Sequence, residues 1–410
     1  MRWPGFLRDR VRNRKAKALL AAADAHWRAG EPDAAVAACR QAVALCPERP
    51  WFHDQLGHVL THHHAYWHHP ALTGRLLANA RLAEAIACWQ QAIALGWTSH
   101  WTQFALGHAL TAQGRFAEAA QHLRLATDLQ LAERRPGHVA RYGTTGEVRG
   151  PDFLIIGGVK CGTTSLYEYL CRHPQVLPAV WKEPDYFRFP ERGRAWYLAH
   201  LPRIPPGEHF VGGEASTCCF AMPEVRVRVR AEYPGVRLIA MVRDPVDKAI
   251  SHCHHERQLG AESRPVEQAL AAELDLLETS PRPWELADRY WREHRGYVWL
   301  GMYAYFLAGW LQTFPREQLL VLTLDELQAA PGPTMARVFA HLGLPDHRAD
   351  DYPVHLRGQY ERRSDPLRSR LARFFAPHNA RLQALLGRRL AWSSAGTTHV
   401  NAPKRADEEH

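Results

Sequence analysis

Two short stretches carry residues suited to gripping a multiply charged anion. The first is Gly158-Val159-Lys160-Cys161-Gly162-Thr163-Thr164-Ser165. It follows the apolar run Asp152-Phe153-Leu154-Ile155-Ile156-Gly157 and precedes Leu166-Tyr167-Glu168-Tyr169-Leu170 at helical spacing. A buried strand, a Gly-rich turn and a helix start, in that order, form an anion cradle. Successive backbone N–H groups and the helix N-terminus point at one phosphate or sulfate. Gly157 and Gly162 have the separation of a nucleoside-triphosphate loop, but Thr163 stands where that loop carries lysine. The lysine lies inside the turn instead, at Lys160. The second stretch is Arg237-Leu238-Ile239-Ala240-Met241-Val242-Arg243-Asp244-Pro245, with Ser251 eight residues after Arg243. It reads as another parallel strand, with Pro245 opening a helix. Arg243 then leaves the strand end and Ser251 rides the helix, so a guanidinium fork and a hydroxyl converge on one phosphate. Taken alone, Arg243-Asp244 equally suits a buried structural ion pair.

These turns need a sheet to hold them, and the chain is long enough to build one. Its 410 residues predict two or three domains at roughly 100–200 residues each. Hydrophobic residues at 46% and charged residues at 23% fit a folded protein and exclude a fibre or a disordered chain. The net charge of +9 favours an anionic ligand without choosing among nucleotide, acidic glycan, nucleic acid and membrane surface. No apolar run reaches the length of about 18 residues that a membrane span requires, so no span is expected. The basic start, MRWPGFLRDRVRNRKAKALLAAA, lacks an apolar core with a small-residue cleavage site and reads as a solvated amphipathic start, not an export signal. Eight cysteines without a C-x-x-C pair point to reduced thiols and a cytoplasmic location.

Residues 16–132 carry a helical repeat. Ala23, Gly30, Ala35, Cys39, Ala42 and Pro47 align with Gly57, Ala85, Trp89 and Ala92, then with Gly107, Gly114, Ala119, Leu123 and Ala126. Ala23 to Gly57 is 34 residues, and Gly57 to Gly107 is 34 plus an insertion of 16. A 34-residue helix–turn–helix period is the tetratricopeptide signature. Small side chains let paired helices approach, and Cys39, Trp89 and Leu123 are expected to fill the groove to the next repeat. An ordinary Ala-rich bundle is the competing reading. The insertion carries His58, His62, His63, His64, His68 and His69, read as a polar loop because no Cys or carboxylate sits nearby at ligand spacing. No metal site is expected. Residues 133–150 are aperiodic and read as a linker.

Together, the turn at 158–165 and the Arg243…Ser251 pair resemble the sulfotransferase family that uses 3′-phosphoadenosine 5′-phosphosulfate (PAPS), in its heparan-sulfate and bacterial branch. Lys182-Glu183-Pro184-Asp185-Tyr186-Phe187 is similar to that branch's Lys-Glu-x-x-aromatic-Phe stretch. Trp196-Tyr197-Leu198, Gly213-Glu214-Ala215-Ser216-Thr217, Phe314-Pro315-Arg316-Glu317-Gln318 and His341-Leu342-Gly343-Leu344-Pro345 follow in family order, and the likeness extends to Trp392. The resemblance implies an α/β sulfotransferase domain at 151–400, with a central parallel sheet and a P-loop-type turn, joined to the tetratricopeptide-like repeats read at 16–132. It implies transfer of the sulfuryl group to an acceptor hydroxyl, on a glycan or glycolipid, by in-line displacement without a metal. Glu183 matches the family's general base. Lys160 would stabilise the leaving group, and Lys182 would touch the sulfonate or the acceptor. Lys160, Cys161, Gly162, Thr163, Thr164 and Ser165 would cradle the 5′ side, and Arg243 and Ser251 the 3′-phosphate. Arg357 and Gly358, in Leu356-Arg357-Gly358-Gln359-Tyr360-Glu361-Arg362-Arg363, loosely match a late nucleotide loop. Thr217-Cys218-Cys219 departs from the family's Ser-Pro.

Two other readings stay open. One is a kinase with a variant phosphate loop; Thr163 in place of lysine opposes it, and Asp244 is the nearest magnesium candidate. The other is a non-catalytic repeat scaffold. The repeat domain is expected to take a protein partner or help place the acceptor; nucleic acid is not expected. His252, His254 and His255 read as packed or solvated helix residues, and Trp299–Trp310 as a core helix.

Overall fold

The computed structural model describes residues 3–61, 81–280, 296–353 and 366–393. Arg357, Gly358, His62, His63, His64, His68 and His69 lie outside the described residues.

Among the described residues, six helices form the N-terminal array: α1 (Trp3–Arg28), α2 (Pro32–Leu45), α3 (Pro50–Leu60), α4 (Arg81–Ala94), α5 (His100–Ala112) and α6 (Phe116–Arg134). Each packs on the next. The small residues sit where the pairs touch: Ala35, Ala42, Ala85, Ala92, Ala119 and Ala126 are fully buried. A Cβ on Gly57 would lie 2.6 Å from the Trp89 indole nitrogen, and one on Gly107 would lie 2.7 Å from Leu123. Trp89 and Leu123 therefore cover the glycine of their own helix pair rather than filling a groove to the next repeat. Close approach has removed the side chain on one helix and enlarged it on the other. His58 is no loop residue: it is buried in α3, beside Asp54 (3.4 Å) and edge-on to Trp89.

The stretch 133–150 contains the end of α6, helix α7 (Pro136–Tyr142) and Glu147, which pairs with Ile204. Then come β1 (Phe153–Ile155), α8 (Thr163–Leu170), β2 (Val176–Pro178), α9 (Arg194–Leu198) and β3 (Val211–Glu214). Next are α10 (Pro223–Glu232), β4 (Arg237–Val242), α11 (Pro245–Gln258), α12 (Val266–Thr279) and α13 (Tyr303–Thr313). The domain ends with β5 (Leu319–Thr323), α14 (Leu324–Ala329), α15 (Pro331–His341) and α16 (Pro366–Leu386).

Among the described residues the five strands form one parallel sheet in the order β2-β3-β1-β4-β5. Its strands are apolar almost throughout because helices cover both faces. From β1 the chain crosses toward β2 and β3; from β4 it continues toward β5. The order therefore reverses between β1 and β4, and the loops that leave their carboxyl ends flank a crevice of the kind that binds ligands in such sheets. Those loops begin at Gly157 and Arg243.

Just past β1, the backbone at Gly157 packs directly against β4. A Cβ there would overlap the Met241 backbone nitrogen. Because the obstacle is main chain, Gly157→Ala is expected to destabilise the fold by about 3 kcal/mol, as overpacking does. Denaturant unfolding measures this, and a wild-type midpoint would show that the strands can separate at no cost.

Candidate active site

The turn between β1 and α8 is shaped by two left-handed residues. Gly162 takes φ 85° at the N-cap of α8, and Lys160, without glycine's freedom, takes φ 62°. A non-glycine residue held there marks a backbone constrained by its surroundings. The constraint comes from three hydrogen bonds: the Gly158 amide donates to Met241 O (2.8 Å), the Cys161 amide to Gly158 O (3.2 Å), and the Arg243 guanidinium to Lys160 O (3.3 Å). The first intrahelical bond of α8 runs from the Leu166 amide to Gly162 O (3.1 Å). The amides of Thr163, Thr164 and Ser165 thus precede the helical ladder, at the positive end of the helix dipole.

Cys161 faces the other way. Its thiol is buried against the Tyr303 hydroxyl (3.5 Å), and burial pushes its pKa up. Only its backbone contributes to the turn. Tyr303, on α13, thereby pins the turn from beneath.

Arg243 leaves β4 as expected. The Asp244 carboxylate accepts from the Val246 amide (2.8 Å) and caps α11, with Pro245 at the first position. Burial raises the Asp244 carboxyl to about 6, with Asp247 adding to the shift. Its hydrogen bond caps a helix, which disfavours the magnesium role a kinase would need. Ser251 is buried on α11, one turn beyond Asp247. Asp247, between them in sequence, lies 4.0 Å from Arg243 and 2.7 Å from Arg368 of α16. Arg368 carries no motif, and its approach from the distant C-terminal helix left no sequence signal.

Lys182 and Glu183 form an ion pair, both partly buried. The Lys160 ammonium is lowered in pKa chiefly by burial and then by Arg243, with Glu183 and Glu256 opposing and Lys182 adding to the fall. Lys160 and Arg243 are joined through the Lys160 carbonyl (3.3 Å), Lys182 and Glu183 as an ion pair, and the charges of Arg243, Glu183 and Lys182 all act on the Lys160 ammonium. Thr163 opens α8 and Ser251 lies in the second turn of α11, both buried, and the Ser165 hydroxyl interacts with Tyr169. His252 is packed edge-on to Tyr297, while His254 and His255 are half-buried on α11.

Behind Glu183 lies an acidic group that sequence reasoning left without a role. The amide of Ala215 donates to Lys182 O (2.6 Å), joining the end of β3 to the Lys182–Glu183 segment. Ser216 donates its amide (2.8 Å) and hydroxyl (2.5 Å) to Glu214, and its hydroxyl accepts from the Asp185 amide (3.2 Å). Glu214 is buried beside Tyr197 (3.5 Å), and burial raises its carboxyl to about 8. Asp185 takes φ 53°, is buried, and is raised to about 6 by burial and then by Glu183. Glu214 falls in the Gly213–Thr217 stretch and Asp185 two residues after Glu183; only the fold makes them neighbours.

Because Glu214 holds its proton more tightly folded than unfolded, stability falls as pH rises from about 4.5 to 8, when the unfolded chain has already released that proton. Glu214→Gln removes the titration while keeping the shape. Its stability relative to wild type is expected to rise by a few kcal/mol between pH 5 and about 8. Urea melts at a series of pH values measure the difference, and a constant difference would rule out the buried proton.

The fold is an α/β sheet whose two turns, after β1 and after β4, adjoin at the switch point in strand order. Residues 150–370 match the sulfotransferase domain family, and the chain belongs to it. Residues 16–59 match the tetratricopeptide repeat family. The chain is 29% identical over 292 residues to heparan sulfate glucosamine 3-O-sulfotransferase 3A1 of Mus musculus, covering 64% of this chain and 69% of that one. It is 30% identical over 272 residues to heparan sulfate glucosamine 3-O-sulfotransferase 6 of Homo sapiens, covering 60% and 75%. A crystal structure of a sulfotransferase from Alicyclobacillus acidocaldarius aligns with TM-score 0.48 and 28% identity, covering 60% of this chain and 99% of that one. This is a sulfotransferase of the heparan-sulfate type with N-terminal helical repeats. Among the described residues, no helix is long and apolar enough to cross a membrane.

Proposed function

We propose that the chain transfers the sulfuryl group of PAPS to a hydroxyl of a carbohydrate acceptor, with Glu183 as general base. The single observation that carries this reading is the left-handed Lys160, inside the turn after β1, with its carbonyl held by the Arg243 guanidinium at the end of β4. The turn fits a phosphosulfate. Its lysine, together with Arg243 and Lys182, concentrates positive charge where burial makes charge costly, so a multiply anionic ligand relieves both repulsion and desolvation.

When bound, PAPS supplies an activated sulfuryl group on a bisphosphate leaving group. The amides of Gly162, Thr163, Thr164 and Ser165 would hold its 5′ side, and Arg243 and Ser251 its 3′-phosphate. Lys160 would neutralise charge gathering on the departing oxygen. Glu183 would take the acceptor hydroxyl proton, and Lys182 would orient Glu183 through their ion pair. The carbohydrate acceptor is supported by the relatives, whose names specify heparan sulfate glucosamine.

Incubating the protein with sulfur-labelled PAPS and a desulfated heparan oligosaccharide, without added magnesium, is expected to place label on the sugar. Label that stays on the nucleotide across an acceptor panel, together with phosphoryl transfer from Mg-ATP, would replace this reading with the kinase.

A further inference from the structure

We propose that the repeat domain is part of the transfer site: helices α5 and α6 form the backing that positions the Lys182–Glu183 segment. This rests on the reading of Glu183 as the base. The contacts are dense and involve both main chain and rings. On α5, Phe104 lies 5.2 Å from the ring of Trp181, the residue directly before Lys182. His108, one turn on, lies 6.4 Å from Trp181 and 5.9 Å from His200. On α6, the Gln130 amide donates to Val180 O (3.2 Å), Thr127 donates its hydroxyl to Ala199 O (2.7 Å), and Arg124 donates to Leu201 O (2.6 Å) and to Leu198 O. The Trp196 indole donates to the Thr111 hydroxyl (2.6 Å), and the Val180 amide to His200 O (3.0 Å).

The segment 179–183 is therefore clamped between two supports. The sulfotransferase sheet holds it from the Lys182 carbonyl, through Ala215, while the repeat holds it from Val180 and Trp181. By contrast, among the described residues the hydrogen bonds that reach the turn at 157–162 from outside it come from β4, Arg243, Tyr303 and α8, all within the sulfotransferase domain. Loosening the repeat support should misplace the base while sparing the cofactor turn. Misplacement of a reacting group by about 1 Å costs on the order of 100-fold in rate.

Phe104 and Gln130 are positioning residues, and the test uses the full-length chain. Phe104→Ala is expected to lower kcat by about 10- to 100-fold. The dissociation constant for adenosine 3′,5′-bisphosphate should stay within about twofold of wild type. Amide exchange should quicken at 179–186 and remain unchanged at 157–165. Phe104→Leu should recover most of kcat, and Leu125→Ser, at an exposed position on α6, should change nothing. Gln130→Leu removes one hydrogen bond and should move kcat and exchange in the same direction if Phe104→Ala fails to fold. Wild-type kcat and wild-type exchange at 179–186 in Phe104→Ala, or in Gln130→Leu where that stands in, would overturn the proposal. Absence of sulfuryl transfer in the wild-type protein would instead overturn the proposed function, and the exchange measurement would still decide the brace.

Discussion

Lys160→Ala is expected to reduce sulfuryl transfer by about 100- to 1,000-fold in kcat, the usual consequence of deleting a donor aimed at developing negative charge. Lys160 is partly buried, so water reaches its ammonium poorly and cannot replace it when the leaving group takes up charge. Arginine should rescue little, because its planar fork does not fit a position shaped for a point charge at φ 62°. The backbone should survive: alanine in the left-handed region costs about 1 kcal/mol more than glycine would, a cost lysine already bears. Steady-state kinetics with saturating PAPS decide this. A kcat within threefold of wild type would place the leaving group elsewhere.

Glu183→Gln is expected to lower kcat by about 1,000-fold, within the usual contribution of a general base. Glutamine keeps the size and can still accept a hydrogen bond, but it cannot take a proton. The loss should fall on kcat alone, since on the proposed reading adenosine 3′,5′-bisphosphate would make its contacts at the turn and at Arg243. Lys182→Met separates the ion pair from the base and should cost less, about tenfold, through orientation. If both variants lose the same activity, the pair acts as one electrostatic unit, and Glu183 is not the proton acceptor.

The strand–turn–helix order around Lys160 and Arg243 was legible because it is local. Strand, turn and helix start lie within about twenty residues, and strands covered on both faces read as unbroken apolar runs such as Leu238–Val242. The repeats were legible for a similar reason, since Gly57 and Gly107 mark where a partner ring or branched side chain must fit. The direction in which Trp89 and Leu123 face was not, because periodicity fixes a helix face but not its neighbour. Nor was the acidic group: Ser216 reaches Asp185 across 31 residues, and nothing in either stretch announces the other. Tyr303 meets Cys161 across 142 residues, and Thr127 meets Ala199 across 72, between two domains that sequence alone treats as separate. Residues 133–150 look aperiodic because the seven-residue helix α7 is too short to set up a pattern.

Calorimetric titration of adenosine 3′,5′-bisphosphate into the wild-type protein and into Arg243→Ala, without magnesium, bears most directly on the displaced lysine and its arginine neighbour. One site per chain is predicted, with affinity weakened about 30-fold or more in the variant, since a charged hydrogen bond is worth about 2 kcal/mol or more. No heat from the wild type, or equal affinity in both proteins, would contradict the assignment of these two loops to the cofactor.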